Sequence, residues 1–290
     1  MRPRPFEYYA PSSLSEALDL LSKGEDAKIL AGGQSLITLM KLRLVAPMSL
    51  IDINNAPELT HIREESGELV IGALTRHDQL ANDATIRHKC MLLAEAANVI
   101  ADQQVRNRGT IAGSLAHADP TADLPTACTA LGATIIAASK KGTRPIKSDE
   151  FFKDYFTTAL LPSEIIQEVR IPIPPTGSGA AYLKLTKGHN DFAIVAVATQ
   201  LTVDNDLICK SASVVLGGVA STPIHSKETE AHLKGRKLDD QVIDESAEKA
   251  SQSLAPPSDI RASSEYRLEM VRALTKRAIG QAARRTRGGA

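Results

Sequence analysis

Aromatic residues are scarce in this sequence, and none is tryptophan: five Phe and five Tyr are the whole set in 290 residues. That scarcity argues against a stacking platform for nucleic-acid bases. An excess of one charge is also missing. Lys plus Arg and Asp plus Glu number 34 each, so no net field draws a polyanion to the chain. The one basic cluster, Arg284, Arg285 and Arg287, reads as a solvated, frayed end. No apolar run approaches the roughly 20 residues of a membrane span. The charged start Met1-Arg2-Pro3-Arg4-Pro5 lacks the apolar stretch of a signal peptide. Cys90, Cys128 and Cys209 lie far apart and are too few for an all-cysteine iron–sulfur cluster. They fit a reducing cytosol, so the expected location is cytoplasmic, with peripheral attachment to the inner face of the membrane as a variant. The zinc patterns Cys-x-x-Cys and His-Glu-x-x-His are absent. So are G-x-x-x-x-G-K-[ST] and G-x-G-x-x-G, which argues against a P-loop NTPase or a Rossmann dehydrogenase.

What is present divides into three stretches, 1–56, 57–176 and 177–290. In the first, Ser13-Leu14-Ser15-Glu16 is a capping-box start to a short amphipathic helix that stops at Gly24. Strands are expected at 28–30 and 49–53. They flank a helical stretch at 37–44 that Pro47 ends, giving a small β-α-β piece. In the second stretch strands are expected at 68–73, 133–138 and 164–171. Thr75 is placed as the N-cap of a helix opening at Arg76. A buried helix follows at 91–100, then a long loop at 110–125 and a helical turn or two at 126–131. Pro172, Pro174, Pro175, Gly177 and Gly179 end this part, because repeated prolines remove ladder donors. The third stretch reads as strands at 182–185, 193–203 and 211–219, with a hairpin turn at Asp204-Asn205-Asp206. Helices at 240–254 and 264–284 follow. Tyr266, Met270, Leu274 and Ile279 suggest the core-facing stripe of the last one.

Two glycine-rich segments carry the chemistry: Ala31-Gly32-Gly33-Gln34-Ser35-Leu36 and Thr110-Ile111-Ala112-Gly113-Ser114. Glycine beside a strand lets backbone N–H groups turn toward an anion with no Cβ in the way. Each pair alone is equally a tight turn, and Gly217-Gly218 is read as structural. Thr110 and Ser114 offer hydroxyls to a phosphate. Asp123 would be repelled there. It suits a sugar hydroxyl, or caps the helix in which Pro125 takes a first-turn place. Arg106, Asn107 and Arg108 either complement phosphate charge or form salt bridges across a domain seam. His117-Ala118-Asp119 supplies too few ligands for a metal.

These segments, with Phe6…Tyr9-Ala10-Pro11, Asn107-Arg108-Gly109, Asp119-Pro120…Asp123-Leu124-Pro125, Asp191-Phe192-Ala193 and Ser258-Asp259-Ile260-Arg261, resemble the medium, FAD-binding subunit of the molybdenum hydroxylases. That family includes carbon monoxide dehydrogenase, quinoline and nicotine oxidoreductases and the flavin domain of xanthine dehydrogenase. The resemblance covers nearly the whole chain. It implies an α+β protein: an FAD-binding fold of the vanillyl-alcohol-oxidase type with two α/β subdomains, then a C-terminal α+β domain. By the same resemblance Ala31, Gly32, Gly33, Gln34, Ser35 and Leu36 wrap the FAD pyrophosphate. Thr110, Gly113, Ser114, His117 and Asp123 lie along the flavin's other side. Ile165 or Ile166 falls against the adenine or the ring system. Lys184 is near the isoalloxazine, where its charge would favour reduced, anionic flavin. Phe192 packs by the flavin where relatives commonly carry tyrosine, keeping the ring and losing the hydroxyl.

The implied partners are a large subunit with molybdopterin and a small subunit with two [2Fe–2S] clusters, assembled as a dimer of heterotrimers. Substrate oxidation belongs to the large subunit, so no residue here is expected to be catalytic or to bind metal. The FAD of this chain would take electrons from the clusters and pass them to NAD, quinone, cytochrome or O2. A stand-alone flavin oxidase and a flavin-free scaffold of the same fold are the alternatives.

Overall fold

The structure is a computed structural model that describes residues 2–286. Three sheets follow one another along the chain. The first contains β1 (Glu7–Tyr9), β2 (Ala27–Leu30) and β3 (Ser49–Asp52), in the order β1-β3-β2 and all parallel. Its helices are α1 (Leu14–Lys23) and α2 (Leu36–Lys41), and α2 supplies the crossover from β2 to β3 that a parallel pair needs. Ser13 caps α1 by accepting from Glu16 N at 3.2 Å, while the Glu16 carboxylate turns to Ser12 N at 2.8 Å. Only half of the expected capping box forms. Helix α2 stops well before Pro47, because Arg43 enters the left-handed region at φ 62° and Leu44 N bonds back to Leu39 O. The short strand β1 had no signal in the sequence.

The second sheet is antiparallel, in the order β4-β5-β10-β6-β7. Its strands are β4 (Ile62–Glu65), β5 (Glu68–Gly72), β6 (Thr134–Ser139), β7 (Gly142–Lys147) and β10 (Ile165–Pro172). The hairpin β8 (Phe152–Asp154) and β9 (Thr157–Thr158) lies between, after the short helix α9 (Ser148–Phe151). Between β5 and β6 run α3 (His77–Asn82), α4 (Ala84–Lys89), α5 (Met91–Asn98), α6 (Gln103–Arg106), α7 (Ile111–His117) and α8 (Asp123–Ala130). The N-cap of α3 is Arg76, not Thr75, whose hydroxyl donates to His61 O at 3.2 Å. The stretch 110–125 is largely helical instead of a loop. Thr110 Oγ1 accepts from Gly113 N at 3.2 Å to start α7, and Ala118 ends it in the left-handed region. Gly113 lowers helix propensity, and burial of Ile111, Ala112 and Leu115 overrides it.

The third sheet comprises β11 (Ser178–Thr186), β12 (Ala193–Val203), β13 (Cys209–Gly217) and β14 (Ile224–His225), antiparallel in that order. Its helices are α10 (Lys227–Leu233), α11 (Asp240–Lys249) and α12 (Ser264–Arg285). Alternation along β12 sorts its side chains by size. Val195, Val197 and Leu201 face the core under α12, whereas Ala196 and Ala198 join the core shared by the first two sheets and their helices. Helix α8 meets that small-residue face with all eight of its residues buried. At one point nothing larger than hydrogen fits: a Cβ on Gly217 would lie 2.3 Å from Thr126 Oγ1.

Two expectations for the last helix change. Leu274 and Ile279 of the expected stripe are buried, but the buried face continues through Arg267, Val271, Thr275 and Ala278, while Met270 is only partly buried and Tyr266 is exposed. The Arg267 guanidinium is 1% exposed because Ile194 O, Gly218 O and Asp259 Oδ1 receive it. A periodicity reading counts arginine as outward-facing and so passes over Arg267. The basic end is not frayed as far as it is described. Arg285 donates to Ala180 O and to Glu95 Oε1, both at 2.6 Å, and Arg287 lies outside the described residues.

The seam between α8 and β13 gives a direct test. Gly217→Ala should cost about 1–3 kcal/mol through overpacking, read as a lower urea midpoint. Adding Thr126→Ala should recover part of the loss. An unchanged midpoint in the single variant, or no recovery in the double, would show that the seam yields to a methyl group.

Candidate functional site

The first glycine-rich segment meets the two residues just ahead of the second, backbone to backbone. A Cβ on Gly32 would lie 2.3 Å from Arg108 O and 2.8 Å from Gly109 Cα, so only glycine permits the contact. Gly33 adopts φ 75°, in the region that disfavours side chains. Side chains fasten the contact from one side. Asn54 Nδ2 donates to Ala31 O at 2.8 Å, and Arg76 donates to Asn54 Oδ1 at 2.6 Å and to Arg108 O. His77 lies beneath. Its backbone N donates to Gly109 O and its Nε2 meets Thr110 O, both at 3.0 Å. A Cβ on Gly109 would strike its ring at 2.6 Å. Burial pushes the His77 pKa down to about 4, so the imidazole is neutral at pH 7 and its Nε2–H is the donor to Thr110.

These segments leave donors free. Among the described residues no protein acceptor meets the N–H groups of Gly33, Gln34, Ser35 and Leu36, and the Ser35 hydroxyl makes no cap bond. Successive unpaired N–H groups beside a glycine pair suit a pyrophosphate. Thr110 is buried and its hydroxyl caps α7, whereas Ser114 is only half-buried. Neither reading of Arg106 as a phosphate or seam partner is realised in its bonds. Its guanidinium donates to Ile100 O, Ala101 O and Gln103 Oε1.

Asp123 opens α8 but does not cap it; the N-cap is Ala122. Its carboxylate crosses to β11, where Tyr182 Oη donates to Oδ1 at 2.8 Å and Lys184 Nζ to Oδ2 at 2.9 Å. Lys184 also donates to Val99 O at 3.2 Å. Burial pushes the Asp123 carboxyl up, and Lys184 and Tyr182 oppose that push. Lys184 is therefore half of a nearly buried ion pair. Ile165 and Ile166 are 3% exposed each and pack in the core.

The remaining residues gather at the other end of α7, about 10 Å along by helical rise. His117, in the last turn of α7, packs on Phe156 with ring centroids 5.2 Å apart. Phe156, Phe192, Tyr155 and Asp119 line a pocket of about 270 Å³. Phe192 is half exposed and lies under the Arg261 guanidinium at 5.6 Å. Asp119 accepts from Thr121 N and Oγ1, closing a local turn. Sequence reasoning missed Asn54, Arg76, His77, Tyr182 and Phe156 as site residues. Nothing local marks them, since each acts on a partner more than 20 residues away.

The buried His77 makes stability depend on pH. Its folded pKa lies below the unfolded value near 6.5, so its contribution is complete above pH 6.5 and is lost as pH falls toward about 4. The loss should reach about 3 kcal/mol. Urea unfolding at about pH 7 and about pH 4.5, above the window and well down into it, should show most of it. His77→Gln should flatten the dependence, and an equally steep loss in that variant would refute the assignment.

Two family models match the chain: "FAD binding domain in molybdopterin dehydrogenase" over residues 4–174 and "CO dehydrogenase flavoprotein C-terminal domain" over residues 180–282. The chain is 41% identical to the 6-hydroxypseudooxynicotine dehydrogenase complex subunit alpha of Paenarthrobacter nicotinovorans, over 99% of this chain and 97% of that protein. It is 38% identical to the carbon monoxide dehydrogenase medium chain of Afipia carboxidovorans, over 99% and 100%. Among solved structures, quinoline 2-oxidoreductase from Pseudomonas putida 86 superposes with a TM-score of 0.94 at 36% identity, covering 99% of both chains. Carbon monoxide dehydrogenase from Hydrogenophaga pseudoflava gives the same TM-score at 39% identity, over 97% and 98%. The glycine contact, the free amides beside it and these matches lead to one conclusion: the chain belongs to the FAD-binding medium subunits of the molybdenum hydroxylases.

Proposed function

We propose that this chain holds FAD with its pyrophosphate between the 31–36 and 110–114 segments and relays electrons from a partner's [2Fe–2S] clusters to an external acceptor. The observation that carries the reading is the Gly32 contact with Arg108 and Gly109, a backbone approach that only glycine permits, with unpaired amides beside it. Bound flavin supplies the redox chemistry, taking electrons singly and giving them singly or in pairs. The chain's residues bind and orient. Gly33 to Leu36 and Ser114 hold phosphate oxygens, the Asp123–Lys184 pair borders the ring system, and His117, Phe156 and Phe192 close its far end.

The lobes are assigned as 1–56, 57–176 and 177–290. The partners are a large molybdopterin subunit, where a small molecule such as an N-heterocycle is oxidised, and a small [2Fe–2S] subunit, in a dimer of heterotrimers. The words "medium chain" and "complex subunit" in the names of the relatives support a multi-subunit setting. Three free, buried cysteines support a reducing cytoplasm, with peripheral contact to the inner membrane face where a quinone is the acceptor.

The purified chain should take up one FAD and gain flavin absorbance. Gly32→Val should weaken that uptake at least tenfold, because its side chain needs the space of Arg108 O, while circular dichroism stays native. A colourless wild-type chain would favour the flavin-free scaffold. Flavin reduction by a substrate with no partner subunit present would favour the stand-alone oxidase.

A further inference from the structure

Tyr182 is gripped at both ends by carboxylates of the second lobe. Its backbone N–H donates to Glu95 Oε2 at 2.9 Å and its hydroxyl to Asp123 Oδ1 at 2.8 Å, and the residue is 5% exposed. Glu95 uses its other oxygen for Arg285, which also holds Ala180 O. Ala180, Tyr182 and Lys184 alternate along β11, so one face of this strand delivers all three to the second lobe. The bonds to Tyr182 N and Ala180 O fix the strand here, and from it the tyrosine hydroxyl reaches Asp123.

We propose that Tyr182 is a positioning residue of the flavin site, whose hydroxyl holds Asp123 Oδ1 so that Oδ2 stays charged and aimed at Lys184. The proposal rests on the reading that the Asp123–Lys184 pair borders the flavin. A carboxylate buried this deeply is costly with one partner, and a hydrogen bond donated to the charged form favours keeping it ionised. The cofactor then meets a closed pair whose charges offset each other. Were Asp123 to take a proton, Lys184 would become an uncompensated cation, and reduced, anionic flavin would be favoured.

Among the described residues no other titratable group competes for Asp123. Helix α8 packs against α5, α7, α9, β12 and β13. From α5, Glu95 is committed to Arg285 and Tyr182 N, and from α7, His117 packs on Phe156. From α9, Asp149 faces His225 and Glu150 is exposed. Strand β12 has no titratable side chain. Those of β13 are turned elsewhere, Cys209 to Ser211 O and Lys210 to Asp204.

The test uses the full chain loaded with FAD and reads the flavin midpoint potential against pH. Wild type should show a break where Asp123 takes its proton, with the potential rising more steeply below it. Tyr182→Phe should move that break upward by about one to two pH units. Asp123→Asn should abolish it, and Tyr182→Phe should then have no further effect. Should the phenylalanine variant fail to fold, 3,5-difluorotyrosine at position 182 keeps the contact with a stronger donor and should move the break downward. An unmoved break in either Tyr182 variant that loads with FAD, or an equal shift in the Asp123→Asn background, would overturn the role of Tyr182. If Lys184→Met leaves the potential unchanged at every pH, the placement of the pair at the flavin fails and the proposal falls with it. A change with Lys184→Met and none with Tyr182→Phe would leave that placement standing and remove the tyrosine alone.

Discussion

Asp123 brings a carboxylate into an interior where only 4% of the residue reaches solvent. Desolvating one such charge costs several kcal/mol, which attraction to a single ammonium does not reliably offset. The chain meets this with two donors from one strand, Tyr182 and Lys184, and ties that strand down again through Glu95 and Arg285. Removing any one donor would leave a buried charge short of partners. The relative placement of the second and third lobes therefore has little latitude.

That polar contact needs close approach, and close approach needs small side chains. Ala196 and Ala198 of β12, Gly217 of β13 and the alanines of α8 make the adjoining surface thin enough for β11 to reach Asp123. The same device operates at the other seam. Gly32 and Gly109 bring the first and second lobes into backbone contact, with Asn54 and Arg76 bonding across it. At both seams a glycine sets the distance and a charged or amide side chain sets the register. Packing alone would allow sliding, and hydrogen bonds alone would not exclude water.

Much of this was legible where the physical cause is local. Strands β2, β3, β5, β6, β10, β12 and β13 follow from apolar runs ended by Gly, Pro or Asp-Asn-Asp, and helix α5 from a continuous apolar stretch. The glycine segments stood out because glycine is costly unless a side chain is forbidden, and at Gly32 it is. What escaped has non-local causes. Helix α7 forms despite Gly113 because its apolar face is buried by the sheet below. Arg267 turns inward because carbonyls from β12 and from Gly218 receive it. Tyr182 and Asp123 are 59 positions apart, and neither residue alone announces the other. The resemblance of the motifs supplied the family. The pairing of the charges came only with the structure.

The matched charges bear on what such a site does well. His77 is neutral, Arg76 is spent on Asn54 and Arg108 O, and Lys184 is closed by Asp123. A general acid or base needs a group free to change protonation within reach of substrate, and these three side chains are engaged structurally. Electron relay makes the opposite demand. Charge arriving at a bound ring is best met by dipoles already in place, because fixed dipoles need not reorganise at the moment of transfer. Carboxylates held by two donors and amides held by tight turns are such dipoles. A surrounding of this kind suits a subunit that holds the redox group still and leaves the bond-breaking to a partner.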